Sequence, residues 1–414
     1  MPRFVAAGAV LAAVCCAATV CAQWPPWLAK KPREPRYPDI LVSAAWLAEQ
    51  RGGLGLVLVD ARGAGAYRGG HIAGAVSLPA DSILPDAPFT SIAASRGLTG
   101  EERLVVYGEG DALEDAAHLF WLFEVSGAAD VLLLDGGIDA WRLSGGAIEA
   151  AVVTPESSPW RRDREVVRRA TIDQVDGEYG RLGGEIIDAR GAAVWERGHI
   201  PHSLPFDFSA LVREDGTLPA PQEIRERFGL TGPRPSEPVD LDGRFIVYGA
   251  GPSDAGALGY LMLRLAGIDS LRYFPEGWSA WSADSTRPVV RIISAEELRD
   301  RLHADSLRFV ADRPPSRFVL LDVRSSLDFG APGHLAGAAN VGSHVFDDSL
   351  EAVLAEHWPG IDRARDPMVV YCYGPNCVRS RNCTTRAARH GFVRLEIFRG
   401  GIDEWRKIGE PLAF

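Results

Sequence analysis

The sequence predicts an α/β protein made of three tandem copies of one domain, each a small, mostly parallel sheet flanked by helices. Three observations carry this prediction. A short apolar strand ending in Asp-x-Arg occurs as Leu56–Arg62, Glu185–Arg190 and Val319–Arg324. A Gly-His pair follows each of them, at Gly70-His71, Gly198-His199 and Gly333-His334. A second apolar strand then ends in Tyr107, Tyr248 or Tyr371, and the next residues, Gly108, Gly249 and Cys372, stand 33, 32 and 33 positions before Trp141, Trp281 and Trp405. A register kept over a period of about 130 residues marks domains rather than solenoid repeats.

Taken in order, the chain opens with Arg3 and an uncharged run from Phe4 to Val20, then Val20-Cys21-Ala22 before Gln23. This pattern reads as a secretory leader over 1–22, cleaved after Ala22; a retained N-terminal anchor is the other reading, although the run is short for a spanning helix. Residues 23–37 form a Pro/Trp-rich linker. Domains are expected over 38–150, 165–285 and 292–414. Within each, strands of the buried type alternate with helical stretches, Asp115 to Val125, Ala255 to Leu265 and Arg381 to Arg389, as a parallel sheet covered by helices requires. Gly127, Gly267 and Gly391 follow those helices, where a left-handed cap is expected. Boundaries fall near Ala151 to Arg169, a stretch holding Arg161, Arg162, Arg164, Arg168 and Arg169, and near Ser282 to Ile292. The arginine-rich stretch is read as a solvated linker. The second domain adds Pro221 to Gly229, a capped helix, and a Pro-rich loop from Thr231 to Pro238.

A formal charge of -11 argues against nucleic acid or an anionic membrane as the main partner. No second segment is apolar enough to span a bilayer, so no integral span is expected once the leader is gone. Cys15, Cys16 and Cys21 leave with the leader. Cys372, Cys377 and Cys383 remain, clustered within twelve residues, and this speaks for reactivity rather than for a disulfide framework. A metal site built on them lacks the usual pair spacing, and no cofactor is implied.

The stretch Val369 to Ser380 delivers Cys372 from a β-branched strand into a Gly/Pro-bearing loop before a helix. A thiolate there meets converging backbone N–H groups and a helix N-terminus, which lower its pKa and hold negative charge. Tyr373 to Arg379 are expected to supply those N–H groups, Pro375 excepted, with charge from Arg379. The candidate catalytic residues are Cys372 and Cys377. Tyr373, Gly374, Asn376, Val378, Arg379 and Ser380 are the candidate substrate-binding residues.

The strand-final Asp-x-Arg, Gly-His-x-x-Gly-Ala, the Tyr-Cys loop and Gly-Gly-x-x-x-Trp, in this order and in triplicate, resemble the rhodanese-like family across nearly all of the mature chain. The resemblance implies a small α/β fold and sulfur transfer through a persulfide on the loop's first cysteine. That position is Gly108 in the first domain, Gly249 in the second and Cys372 in the third. Domains 1 and 2 should therefore be silent, and domain 3 catalytic. The loop looks two residues longer than the common form and has Gly374 where thiosulfate-preferring members often carry a basic residue; both features weigh against thiosulfate as donor. Cys377 opens a dithiol route, as a resolving thiol. Cys383 reads as packed. Six residues separate Cys372 from Arg379, where related cysteine phosphatases need five, so phosphatase chemistry is not expected. The implied partners are a small sulfur donor and a thiol or other thiophilic acceptor, with a protein partner for domains 1 and 2 as a further expectation. The implied location is periplasmic or secreted. The competing reading is a non-catalytic binding or scaffold protein with a redox-sensitive cysteine pair.

Overall fold

A computed structural model of the chain describes residues 39–80, 83, 88–109, 113–163, 166–179, 184–230, 243–310 and 318–414. The expected leader, the linker after it and the Thr231 to Pro238 loop lie outside the described residues. What is described belongs to one compact unit, Tyr37–Phe414.

Domain 1 runs β1 (Leu41–Val42), α1 (Ala44–Gln50), β2 (Leu56–Asp60), α2 (Ala64–Gly69), β3 (His71–Ile72), β4 (Val76–Ser77), α3 (Phe89–Ser95), β5 (Arg103–Tyr107), α4 (Glu114–Val125), β6 (Asp130–Leu134), α5 (Gly137–Leu143) and β7 (Ile148–Glu149). Domain 2 continues with α6 (Ile172–Glu178), β8 (Gly184–Asp188), α7 (Ala192–Arg197), β9 (Leu204–Pro205), α8 (Pro221–Leu230), β10 (Arg244–Tyr248), α9 (Ala255–Leu265), β11 (Leu271–Phe274) and α10 (Gly277–Ala283). Domain 3 follows with β12 (Val289–Ile293), α11 (Ala295–Val310), β13 (Val319–Asp322), α12 (Ser326–Gly330), β14 (Ala339–Asn340), α13 (Phe346–His357), β15 (Met368–Tyr371), α14 (Val378–Arg389), β16 (Arg394–Phe398) and α15 (Gly401–Lys407).

Among the described residues each domain has one parallel sheet, ordered β1-β6-β5-β2-β4, β11-β10-β8-β9 and β12-β16-β15-β13-β14, and domain 1 adds a small antiparallel sheet of β3 and β7. The central strands read as unbroken apolar runs because helices cover both faces; all four residues of β13 and of β15 are buried. Gly127, Gly267 and Gly391 adopt φ of 78°, 76° and 88° and end α4, α9 and α14 as left-handed caps.

The three sequence motifs turn out to be one hydrogen-bonded unit. Asp60, Asp188 and Asp322 are fully buried at the ends of β2, β8 and β13. Each accepts from the arginine two residues on, at 2.7, 2.6 and 2.7 Å for the closest contact. The same guanidinium donates to the carbonyl of the Gly-His glycine, Gly70, Gly198 or Gly333, at 2.8 Å in each domain. The tyrosine hydroxyl of the neighbouring strand in turn accepts from the N–H just after that histidine, at 3.1, 3.3 and 3.1 Å. The histidine rings stack at 3.7, 3.8 and 3.7 Å on Tyr67, Trp195 and Phe329, with Nδ1 against the same residue's carbonyl. These residues therefore hold the fold together in every copy.

The intervals expected as boundaries are structured. Trp160 donates to the Ser126 carbonyl at 3.1 Å and stacks on Phe123, and Arg162 donates to the Gly127 carbonyl at 2.9 Å. The arginine-rich stretch is thus a linker anchored along domain 1, with Arg161 and Arg162 exposed to solvent as expected. In the second interval, β12 pairs with β16 of domain 3, while its Val290 exchanges backbone hydrogen bonds with His199 of domain 2 at 2.9 and 3.0 Å. One strand serves two domains and joins them.

Domains 1 and 2 share a continuous apolar core through α4 and α9. Tyr260 donates to Glu124 at 2.6 Å, Arg264 pairs with Glu124 at 3.1 Å, and Ser253 donates to Asp115 at 2.6 Å. Burial without charged partners lowers the pKa of His118 in this interface to about 4. His199 falls to about 3, also chiefly by burial. Both stay neutral in the native state but bind protons below about pH 6.5 once unfolded. The unfolded state therefore gains protons first, and stability is lost as pH falls from about 6.5 toward 4, by up to about 1.4 kcal/mol per pH unit for each histidine. Urea unfolding between pH 6.5 and 5, where most carboxylates stay ionised, should show this slope, and His118→Asn should reduce it; a flat profile in both proteins would contradict it.

Candidate active site

Cys372 leaves the sheet directly after Tyr371, the tyrosine of the buried network, and is itself 2% exposed. Its backbone is fixed by the first turn of α15: the Cys372 carbonyl accepts from the Ile402 N–H and the Tyr373 carbonyl from the Asp403 N–H, both at 3.0 Å. A side chain at Gly401, where φ is +57°, would lie 2.4 Å from the Cys372 carbonyl oxygen, so the close approach requires glycine. Gly137 and Gly277 play the same part beneath Gly108 and Gly249. This is the physical content of the Gly-Gly-x-x-x-Trp motif.

The loop turns through Gly374 to Cys377, whose N–H donates to the Gly374 carbonyl at 3.0 Å. That N–H is therefore spent inside the turn, a correction to the expectation that all of Tyr373 to Arg379 except Pro375 offer theirs. α14 begins at Val378, three residues earlier than its pattern suggested, with Cys377 at the capping position in extended backbone and no side-chain capping bond. Cys372 and Cys377 are joined as a disulfide with their Cα atoms 6.5 Å apart. Cys372 Sγ also lies 3.7 Å from Ser380 Oγ, which is buried, and 3.6 Å from the Cys377 carbonyl oxygen. Gly374 is buried with Asp403 behind it, Asn376 is exposed, and Val378 is half-buried at the helix start.

Tyr373 lies between two guanidiniums, with Arg324 at 5.8 Å and Arg379 at 5.5 Å from its ring, and its hydroxyl donates to Asp328. Asp328 also accepts from Ser325 Oγ, and these two hydrogen bonds hold its carboxyl below the usual range. Arg399 donates to the Pro375 carbonyl at 3.4 Å and pairs with Glu196 of domain 2 at 3.5 Å. Asp328, Arg399 and the N–H groups of Ile402 and Asp403 shape the loop and were not singled out from sequence. Asp403 lies inside the Gly-Gly-x-x-x-Trp motif, so a signal for it existed; Asp328 and Arg399 carry none. Cys383 is fully buried, and burial pushes its thiol up to about 12.

The sister loops are filled differently. In domain 2 the Asp254 carboxylate accepts from the N–H groups of Ala250, Gly251 and Gly256, and a Cβ at Gly249 would lie 2.1 and 2.3 Å from its oxygens. The chain's own carboxylate occupies the anion cradle there. In domain 1 the Glu109 carboxylate pairs with Arg62 at 3.0 Å.

The rhodanese-like domain model matches residues 43–144, 171–284 and 294–408, which is most of the chain. The chain belongs to the rhodanese-like family of sulfurtransferases. Among its relatives, a Mycobacterium tuberculosis protein provisionally named thiosulfate sulfurtransferase SseB is 29% identical over 290 residues, covering 61% of this chain and 97% of its own. The thiosulfate sulfurtransferase of Corynebacterium glutamicum is 25% identical over 284 residues, covering 61% and 91%. The crystal structure of SseA from Escherichia coli, described as a 3-mercaptopyruvate sulfotransferase of rhodanese fold, superimposes with a TM-score of 0.51 at 25% identity, over 58% of this chain and 99% of that one.

Two outcomes follow from the geometry. Gly249→Cys in a Cys372→Ser background should take up no sulfur and should melt lower, by about 1–3 kcal/mol of overpacking against Asp254; stoichiometric sulfur at position 249 would contradict the occupied cradle. After reduction, iodoacetamide should label Cys377 fast and Cys372 more slowly in the native protein and reach Cys383, whose burial keeps it protonated, only on unfolding, as peptide mapping would reveal.

Proposed function

We propose that the protein is an exported sulfurtransferase that carries sulfane sulfur as a persulfide on Cys372 and passes it to a thiophilic acceptor, with Cys377 as resolving thiol. The observation that carries this reading is that Cys372 alone, of three equivalent strand-end positions, bears a nucleophile, while Gly108 and Gly249 bear none. The thiolate attacks the sulfur of the donor, the donor remnant leaves, and the terminal sulfur rests in the turn formed by Tyr373, Gly374, Asn376, Val378, Arg379 and Ser380. Arg379, exposed at the mouth, supplies positive charge for an anionic donor. The relatives' names make thiosulfate and 3-mercaptopyruvate the first donors to try, although Gly374 leaves the loop without the basic residue expected for thiosulfate. Domains 1 and 2 act as support, since neither has a nucleophile at the strand end and the cradle of domain 2 is taken by Asp254.

Export to the periplasm or medium is supported by the uncharged run from Phe4 to Val20 and the small residue Ala22 before Gln23. No helix among the described residues is long and apolar enough to cross a membrane. The test incubates reduced protein and a dithiol with thiosulfate, 3-mercaptopyruvate or a low-molecular persulfide and measures the sulfur that leaves it, as thiocyanate formed from cyanide or as sulfide. Activity should be present with at least one donor and fall by at least about a hundredfold in Cys372→Ser. No activity with any donor, or activity that survives the substitution, would favour the binding-module reading instead.

A further inference from the structure

Cys372 is almost fully buried, whereas Cys377 is half-buried at the helix cap, and the two sulfurs are bonded in the structure. Cys377 therefore reaches the inner sulfur of any Cys372 persulfide, the atom it already contacts, rather than only the outer one. From this geometry we infer that the site discharges its persulfide internally and releases sulfide, with a dithiol as the second substrate. The inference rests on the reading of Cys372 as the sulfur carrier.

The steps balance as follows. The Cys372 thiolate takes the sulfane sulfur from a donor R–S–SH, giving Cys372–S–SH and R–S⁻. The Cys377 thiolate attacks Cys372 Sγ; the Sγ–Sγ bond forms, the bond to the terminal sulfur breaks, and HS⁻ leaves. Hydrosulfide is a weaker base than an alkyl thiolate and so departs more readily. The sulfane sulfur has been reduced by two electrons, and the cysteine pair oxidised to the disulfide. An external dithiol then reduces that disulfide, becoming a cyclic disulfide and releasing two protons. Summed, R–S–SH and the dithiol give R–SH, H₂S and the oxidised dithiol.

The difference in burial sets the direction of the last step. The reductant meets the more accessible Cys377 sulfur first, so Cys372 is the leaving thiolate and emerges ready for the next donor. The Ser380 hydroxyl, which donates to the Cys377 carbonyl at 3.4 Å, lies 3.7 Å from Cys372 Sγ and can turn to donate to that thiolate. Cys383 takes no part, because burial keeps its thiol protonated.

The experiment mixes the reduced, desalted full chain with one equivalent of cysteine persulfide, without other thiols, and follows sulfide and intact mass. The wild type should release one equivalent of sulfide, gain no lasting sulfur and lose two titratable thiols, and should turn over repeatedly only when dithiothreitol is added. Cys377→Ser should hold one added sulfur and release no burst, yet still pass that sulfur to cyanide; circular dichroism checks that it is folded. A wild type that keeps its added sulfur as long as Cys377→Ser does would overturn internal discharge while leaving the sulfur carrier intact. A Cys377→Ser protein that acquires no sulfur would overturn both readings.

Discussion

The structure depends on a fully buried carboxylate repeated in each domain. Asp322 is fully buried and Arg324 is 1% exposed. Such a pair is tolerated only when hydrogen bonds satisfy what the ion pair leaves over. Here they do: the guanidinium also reaches the Gly333 carbonyl, and the Tyr371 hydroxyl, whose proton is held by burial beside this carboxylate, accepts from the Leu335 N–H. The network joins the end of β13, the Gly-His turn and the end of β15. It fixes the point at which the chain leaves the sheet, and Cys372 is the next residue. The same arrangement stands in domains 1 and 2, where it positions a glycine.

In domain 2 the loop without a nucleophile takes part in packing against domain 1. Ser253, in the loop of domain 2, donates to Asp115 on α4, and the Leu218 N–H donates to Asp135 of domain 1 at 2.8 Å. The helices after the silent loops, α4 and α9, bury apolar residues against one another. On α14 the positions matching Leu122 and Met262, or Val125 and Leu265, hold Arg386 and Arg389, and Arg379 and Asn382 are exposed on the same side. The helices packed between domains are apolar, and the helix after the Cys372 loop is polar on its exposed side. Shared strand β12 then couples domain 3 to the pair.

Much of this was legible in the sequence because triplication supplied an internal comparison. Asp-x-Arg, Gly-His and the spaced tryptophan recur where the nucleophile does not, which separates residues that hold the fold from residues that react. Cys372, and Cys377 beside it, could be found that way. The contributions of Asp328 and Arg399 could not, since each acts across space on a loop residue far away in sequence, and neither stands in a repeated motif. The double use of β12 was hidden for a similar reason: Val289–Ile293 reads as one strand, and nothing local says that it has partners in two domains. Charge and proline marked the arginine-rich stretch as a solvated linker, which its exposed arginines bear out, but not that Trp160 and Arg162 anchor it to domain 1. Asp254 caps α9 and also accepts from the N–H groups of its own loop, a double use that no motif in the sequence marks.

The central claim is an order of events at one loop, so the most direct measurement is time-resolved peptide mapping of the reduced chain during its first turnover. Samples quenched with an alkylating agent at successive times after addition of a sulfane donor should show the extra sulfur first on Cys372, and then its replacement by a Cys372–Cys377 disulfide. Sulfur appearing first on Cys377 or on Cys383, or never reaching the peptide that contains Cys372, would contradict the account.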